Sequence, residues 1–181
     1  MSRWLILTGL LVSQAQAATN IDCDKVRDDD LMCLACNIYH ESGNQSLDGK
    51  VAVGAVTINR VKSLYYPNSI CEVVWQNSQF SWTNDGKTDF TPNSKWWVQA
   101  KDIAKGFMVA TGKPHGAFND PTQCALFYHA DYVTPYWSYD KKMEKTTQIE
   151  NHIFYRHIAM GCPTENVLAV SSNAPLSLNN N

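Results

Sequence analysis

The sequence of 181 residues has no long apolar run beyond its first twelve residues, no basic cluster, no internal repeat and no stretch of linker composition. A membrane-spanning helix needs about 20 consecutive apolar residues, so no later segment could cross a bilayer. The 15 Lys and Arg and 17 Asp and Glu form no basic tract or stripe, which argues against nucleic-acid binding. Without repeats or linkers, one domain is expected rather than several.

The first residues have the features of a secretory signal. Arg3 supplies a positive start, Trp4 to Val12 is an apolar run of nine residues, and Ala15-Gln16-Ala17 is an A-x-A cleavage site. We predict a signal peptide over residues 1–17, with export to the periplasm or the cell exterior and no stable membrane insertion after cleavage. An uncleaved anchor is the alternative. Cleavage leaves 164 of the 181 residues, enough for one domain with a core.

All six cysteines lie beyond this signal: Cys23, Cys33, Cys36, Cys71, Cys124 and Cys162. An even number of cysteines in an exported protein indicates disulfide bonds, although the sequence cannot choose the pairing. A zinc site is the alternative, because Cys33, Cys36 and His40 project from neighbouring directions on a helix and Cys71 could be a fourth ligand. Asn37, rather than histidine, follows Cys36, which excludes the haem-attachment motif. We therefore expect disulfides, with no metal and no cofactor.

The segment from Asp28 to Ser42 has the apolar spacing of an amphipathic helix, and its aspartates can cap the start. Its inward stripe is formed by Leu31, Leu34, Ala35 and Ile38. At about 100° per residue, Glu41 falls within roughly 20° of Leu34 on that stripe. A carboxyl group facing the core must be paired, protonated or used. Burial raises its pKa, and a raised pKa suits a general acid.

The other predicted elements change in kind along the chain. Three further helices are predicted: one at about Asp48–Lys62, a short one after Asn68 as a cap, and one over Asn93–Thr111 that Gly112 and Pro114 end. The β-rich runs are Cys124–His129 and Asn151–Arg156, and an aromatic loop, Val133–Trp137, lies between them. Helices followed by strands predict an α+β domain, mainly helical in its first half with a small β-sheet in its second. This domain is assigned to residues 18–170, and the polar tail 171–181 is predicted to be disordered.

Five segments share one pattern across about Leu31 to His157. They are Cys33–Glu41; Gly49–Val61, which reads G-x-x-A-V-x-x-V-x-x-N-R-V; Tyr66–Cys71 with Gln79–Trp82; Leu126–Ala130 with Pro135–Trp137; and Ile149–Arg156. Together and in this order they resemble the SleB/CwlJ-type cell-wall hydrolase family, whose members cleave the glycan strands of peptidoglycan.

The resemblance implies a compact lysozyme-like domain with a glutamate that protonates the glycosidic oxygen. At the matched position that acid is Glu41. Glu41-Ser42 is also similar to the Glu-Ser pair of soluble lytic transglycosylases. The family often continues E-A-R-G-E, whereas this chain reads Glu41-Ser42-Gly43-Asn44-Gln45. The arginine is absent, and Gln45 replaces the second acid.

The loss of the second acid bears on the reaction. Glycoside hydrolysis usually needs two carboxylates, about 5–5.5 Å or about 6.5–9.5 Å apart. A lytic transglycosylase needs one, because the substrate's own C6 hydroxyl attacks the anomeric carbon while the same glutamate first donates and then accepts a proton. We therefore predict a lytic transglycosylase that cleaves between N-acetylmuramic acid and N-acetylglucosamine. Hydrolysis stays open through four possible second carboxylates: Asp48, Asp85, Asp89 and Asp131.

Five further residues are predicted to bind the substrate: Gln79, Ser81, Trp82, Tyr128 and His129. The first two offer amide and hydroxyl groups, and Trp82 offers a ring for stacking. Tyr128 and His129 could orient Glu41 or bind an N-acetyl group, although a structural role is the alternative for His129. Asn59 and Arg60 are predicted to fix the second helix through hydrogen bonds.

Peptidoglycan glycan strands are the expected partner, and the protein is expected to act as a monomer. A non-catalytic wall-binding module is a competing hypothesis, against which Glu41 itself argues. A zinc protein built on Cys33, Cys36 and His40 is another. The sequence leaves open a cellular enzyme or a phage-encoded lysin.

Overall fold

The computed structural model of the chain describes residues 20–91, 94–111 and 119–162. The predicted signal peptide, Gly112, Pro114 and the tail 171–181 lie outside these residues. Among the described helices, none is both long and apolar enough to cross a membrane.

The described residues form four α-helices and five strands. The helices are α1 (Asp30–Ser42), α2 (Leu47–Lys62), α3 (Ile70–Val74) and α4 (Lys95–Thr111); the strands are β1 (Ile21–Asp22), β2 (Phe90–Thr91), β3 (Phe127–Ala130), β4 (Met143–Ile149) and β5 (His152–His157). Short 3-10 helices occupy Cys23–Lys25, Ser81–Asn84 and Tyr136–Tyr139. The predicted α+β arrangement, with helices first and a small sheet later, is confirmed.

Helix α1 lies at the centre of the helical half. Asp29 caps it by accepting a hydrogen bond from the Met32 amide at 3.1 Å. The predicted stripe is inward, since Leu34, Ala35 and Ile38 are fully buried. However, every residue from Cys33 to Ile38 is buried, because α2, α3 and α4 all pack against this helix. Helix α1 is therefore enclosed on most sides up to its last turn, which carries Glu41.

Helix α2 approaches α4 closely. A Cβ atom at Gly54 would lie 2.5 Å from the Phe107 ring and 3.1 Å from Ile38 Cδ1. Such a contact is far too short for a side chain, so glycine permits the approach of the two helices. On another side, Ala52 and Val56 of α2 pack with Ala125 and Phe154 and thereby attach the sheet to the helices.

Strands β3, β5 and β4 form an antiparallel sheet in that order, and β1 pairs with β2. Tyr128 of β3 lies opposite Phe154 of β5. The register between β4 and β5 shifts between Lys145 and Thr147, which leaves Thr146 as an extra residue. Its hydroxyl donates to the Thr122 carbonyl at 2.8 Å.

Two predicted details are wrong at the level of single residues, and one strand was not predicted. Ser69, not Asn68, caps α3, since its hydroxyl accepts from the Glu72 amide at 3.3 Å. Strand β3 begins at Phe127 rather than Cys124, because φ is +56° at Gln123 and +67° at Cys124, outside the extended region. Strand β4 was not predicted, since Met143–Ile149 is largely polar and lacks a regular apolar alternation.

The cysteines pair as Cys23–Cys36, Cys33–Cys71 and Cys124–Cys162. The prediction of disulfides is confirmed. The zinc alternative is wrong, because the sulfurs it requires are bonded to one another and are not thiolates. No group of three His, Cys, Asp or Glu side chains within the described ranges is arranged to hold a metal ion.

Candidate active site

A cleft of about 430 Å³ opens where the end of α1 meets the sheet. Its described lining combines the last turn of α1, the 3-10 helix at Ser81, strand β3 with the loop after it, and the start of β5. The residues are His40, Glu41, Ser81, Trp82, Tyr128, His129, Ala130, Tyr132, Val133, Pro135, Trp137 and His152. Glu41 is the only carboxylate among these twelve.

The Glu41 side chain is half-buried, and its two oxygens differ in their surroundings. Oε2 accepts a hydrogen bond from the Tyr128 hydroxyl at 2.9 Å, whereas Oε1 has no hydrogen-bond partner among the described residues. Burial raises the pKa of Glu41 above its ordinary value, while the Tyr128 hydrogen bond and the charge of Arg60 act in the opposite direction. The net effect favours the protonated acid.

Arg60 supplies a fixed positive charge near this pair. Its side chain is buried, and Nε donates to the Leu126 carbonyl at 2.8 Å. Nη1 has no hydrogen-bond partner in the described part of the chain. Burial lowers the pKa of Arg60, and the nearby Glu41 carboxylate acts in the opposite direction. Burial, followed by the nearby Glu41 carboxylate, holds the pKa of Tyr128 well above its usual range. Tyr128 therefore stays a hydrogen-bond donor.

Trp82 lines the cleft, but most of its ring is buried beneath the cleft surface. The side chain is only 7% exposed, and its indole N–H donates to Asn37 Oδ1 at 3.0 Å. Asn37 in turn donates to Thr57 Oγ1 at 3.1 Å, so this link joins the loop to α1 and α2. One face of the indole stacks on His40, with ring centroids 4.6 Å apart. The sequence predicts only that Trp82 offers a ring for stacking and could not show this packing.

His129 is held by the sheet and not by Glu41. Neighbouring residues of a strand point to opposite faces; Tyr128 reaches Glu41, whereas the His129 ring stacks on Tyr155 at 5.4 Å between centroids. Trp137 contacts the same ring edge-on at 5.6 Å. His129 and Tyr128 nevertheless both line the cleft, as does the exposed residue Ser81. Gln79 is half-buried and is not among the described lining residues.

His152 also lies at the site, although it is not among the residues predicted to bind the substrate. This residue is 8% exposed, lines the cleft beside Tyr128 and presents a ring edge to it at 5.3 Å between centroids. Burial lowers its pKa, which keeps the imidazole neutral, and Nδ1 has no hydrogen-bond partner among the described residues. The pairing of its strand with β3 brings it here, and that pairing is a tertiary contact that one strand's pattern does not reveal.

The four aspartates considered as second carboxylates lie outside the described lining of the cleft. Asp48 is in the exposed first turn of α2. Asp85 accepts hydrogen bonds from Lys87, and Asp89 is buried with its carbonyl bonded to the Cys23 amide. Asp131 is exposed just beyond β3.

Comparison with known proteins identifies the family. The model of the cell wall hydrolase family matches residues 44–155, a range that begins three residues after Glu41. This chain therefore belongs to the cell wall hydrolase family, a family of enzymes that act on the cell wall.

The relatives are spore cortex-lytic enzymes. That of Bacillus cereus is 32% identical over 126 residues, which cover 69% of this chain and 43% of the relative. That of Bacillus subtilis (strain 168) is 29% identical over 126 residues, covering 69% of this chain and 37% of the relative. The chain thus spans less than half the length of these curated relatives.

Two solved structures share the fold. The catalytic domain of the germination-specific lytic transglycosylase SleB from Bacillus anthracis has a TM-score of 0.55 and 32% identity, covering 71% of this chain and 95% of that one. The catalytic domain of Bacillus cereus SleB has a TM-score of 0.53 and 30% identity, covering 70% and 89%. The resemblance found in the sequence is confirmed.

Proposed function

We propose that this protein is an exported lytic transglycosylase that cleaves peptidoglycan between N-acetylmuramic acid and N-acetylglucosamine, acting as a monomer with Glu41 as general acid and base. The observation that carries the proposal is the single carboxylate in the described lining of the cleft. A reaction that uses one acid twice fits such a site better than one that requires two carboxylates. The relative from Bacillus anthracis is described as a lytic transglycosylase, which supports this choice.

In the first step protonated Glu41 gives its proton to the glycosidic oxygen. The Tyr128 hydroxyl holds Oε2 at 2.9 Å, so Oε1 is the oxygen available to the substrate. Because burial raises the pKa of Glu41, a larger fraction is protonated near neutral pH than for a solvated glutamate. The bond between the anomeric carbon and the glycosidic oxygen then breaks as that oxygen receives the proton.

In the second step the Glu41 carboxylate acts as a base. The Tyr128 hydrogen bond and the charge of Arg60 both favour the ionised form and stabilise it after the first transfer. The C6 hydroxyl of the same sugar gives its proton to Glu41 while its oxygen bonds to the anomeric carbon. An anhydro ring forms, Glu41 regains its proton, and no water is consumed.

We also propose that the five predicted residues bind the substrate, and the structure supports them to different degrees. Ser81 and His129 line the cleft and offer polar groups to sugar hydroxyls or N-acetyl groups. Tyr128 acts mainly on Glu41. Trp82 can offer only its small exposed part, and Gln79 rests on the sequence pattern alone.

The test is digestion of purified peptidoglycan with product masses determined. The native protein should release anhydro-muropeptides, and Glu41→Gln should lower the rate by roughly 10²- to 10⁴-fold, the contribution typical of a general acid–base residue. Asp102→Asn is the matched control, because Asp102 is an exposed carboxylate on α4, outside the described cleft lining; it should cleave at the native rate. Reducing-end products, or unimpaired cleavage by Glu41→Gln, would contradict the proposal.

A further inference from the structure

Three tyrosines near the cleft are almost fully exposed. Tyr132, Tyr136 and Tyr139 are 82%, 93% and 73% exposed, and they lie within eight residues of one another in the segment after β3. Single exposed aromatic residues are ordinary, whereas several in one short segment beside a cleft indicate an interaction site. We call these three residues the tyrosine platform.

The backbone under the platform is fixed. Tyr136–Tyr139 is a 3-10 helix, and its Trp137 packs against Phe127, His129 and Tyr155, with ring centroids 5.5 to 5.6 Å apart. The Ser138 hydroxyl and the Asp140 amide close the turn by donating to the Pro135 and Trp137 carbonyls at 2.8 and 3.1 Å. Tyr136 and Tyr139 therefore project from a rigid backbone, and little backbone entropy is lost when they bind a partner.

The platform lies beside the cleft. Residues three apart in a 3-10 helix lie on the same side, separated by about 6 Å along the axis, so Tyr136 and Tyr139 face one direction. Tyr132 lines the cleft itself. Pro135 and Trp137, on either side of Tyr136 in the sequence, line the cleft as well, so the tyrosine platform borders the cleft.

The charge around the platform is balanced. Asp131 and Asp140 carry two negative charges, and Lys141 and Lys142 carry two positive charges, all on exposed residues. Such a surface lacks the net positive charge that attracts anionic lipid or nucleic acid. Tyrosine offers a flat apolar face and a hydroxyl donor, a combination that suits sugar rings.

We propose that the tyrosine platform binds sugar units of the glycan strand beyond those held next to Glu41, so that the protein prefers long strands to short fragments. This inference rests on the proposed function, because the strand is the substrate assumed there. It adds a substrate-length preference that the cleft alone does not supply.

The test compares Tyr136→Ala/Tyr139→Ala with the native protein on long glycan strands and on fragments of two sugar units. KM for long strands should rise about tenfold, from two stacking contacts of a few-fold each, while kcat and the kinetics on short fragments stay unchanged. Tyr65→Ala is the matched control, since Tyr65 is 58% exposed and outside the described cleft lining; it should leave both substrates unaffected. An unchanged KM, or equal losses on both substrates, would overturn the inference.

Binding measurements separate this inference from the proposed reaction. In the Glu41→Gln background, long strands should bind about tenfold more weakly after loss of the two tyrosines, whether or not the native protein is a transglycosylase. Failure of the native protein to cleave peptidoglycan would refute the proposed function alone. Phosphatidylglycerol vesicles test a lipid partner: if the tyrosine variant loses vesicle binding but keeps strand binding, the platform is a membrane contact and the inference is wrong.

Discussion

Glu41 lies between opposing influences on its charge. Burial favours the protonated acid, whereas the Tyr128 hydroxyl and the Arg60 guanidinium favour the carboxylate. The proposed use of Glu41 first as an acid and then as a base needs both forms to be accessible near the working pH. The balance among these three side chains is therefore where changes of single residues should alter the pH dependence of activity.

Tyr128→Phe should shift that pH dependence in a definite direction. Loss of the hydroxyl removes an interaction that lowers the pKa of Glu41, so this pKa should rise. If Glu41 is the general acid proposed, it works when protonated, so activity falls as the pH rises through its pKa, and this limb of the kcat profile should move to higher pH. The maximal kcat should fall roughly ten- to a hundredfold, since the hydrogen bond that orients the carboxyl group is lost. Tyr65→Phe should leave the profile unchanged, and a limb that stays in place or moves to lower pH would refute this explanation.

Glu41→Gln should stabilise the protein although it removes the proposed general acid. The folded-state pKa is raised above the unfolded value near 4.5, so the stability present below pH 4.5 is lost as the pH rises through the folded pKa. Glutamine avoids that loss, and the free energy of unfolding at pH 7 should rise by about 1 kcal/mol. Urea denaturation at pH 7 and pH 4 measures this gain, which should shrink at the lower pH.

The exposed residue Asp102 supplies the control for this comparison. Asp102→Asn should change the free energy of unfolding by less than about 0.5 kcal/mol at either pH. If the Glu41→Gln protein is less stable than the native one at pH 7, the ionised carboxyl group of Glu41 does not destabilise the folded state.

At the scale of elements, α2 fixes the chain that enters β3. Asn59 Nδ2 donates to Asp120 Oδ2 at 2.8 Å and to the Ala125 carbonyl at 3.1 Å. Arg60 binds the Leu126 carbonyl, two residues before Tyr128. The predicted hydrogen-bonding role of Asn59 and Arg60 is thus seen, and its consequence is that the end of α2 sets the position of Tyr128 relative to Glu41.

Asn59→Ala should weaken this connection. The Ala125 carbonyl would lose its side-chain donor in a buried place, which costs about 1–3 kcal/mol of unfolding free energy. Urea denaturation measures the loss, and kcat should fall with it because Tyr128 is held less firmly. Asn44→Ala, at an exposed position between α1 and α2, should change the stability by less than about 0.5 kcal/mol. Equal effects of the two substitutions would argue against the connection.

The same elements show what a sequence can predict. Helices α1 and α2 follow from apolar spacing and capping residues, which are local properties, and their bounds agree with the structure within about two residues. Strand β4 is not predicted, because its polar residues and the extra Thr146 break the alternation of apolar and polar residues typical of a strand. Within the site, the Asn37–Trp82 and Arg60–Leu126 contacts join residues 45 and 66 positions apart. Such contacts depend on the packed fold, so no single segment predicts them.

Across the whole molecule, the three disulfides stabilise different halves of the fold. Cys23–Cys36 and Cys33–Cys71 both tie α1 into the helical half, whereas Cys124–Cys162 closes the sheet half. Cys33–Cys71 and Cys124–Cys162 have the same sequence separation of 38 residues. Chain entropy alone therefore assigns them the same stabilisation, about 4 kcal/mol each, and any difference between their removals reflects the folded state.

Removing these two disulfides one at a time tests that division. Cys33→Ser/Cys71→Ser and Cys124→Ser/Cys162→Ser should each lower the free energy of unfolding by about 4 kcal/mol in urea denaturation. Under conditions where both variants remain folded, only the first should lose most peptidoglycan cleavage, because it loosens α1 and with it Glu41. In the second, the start of β3 is still held by Asn59 and Arg60, so Tyr128 keeps its position. If the Cys124–Cys162 variant loses as much activity as the other, the sheet half positions the site as strongly as α1 does.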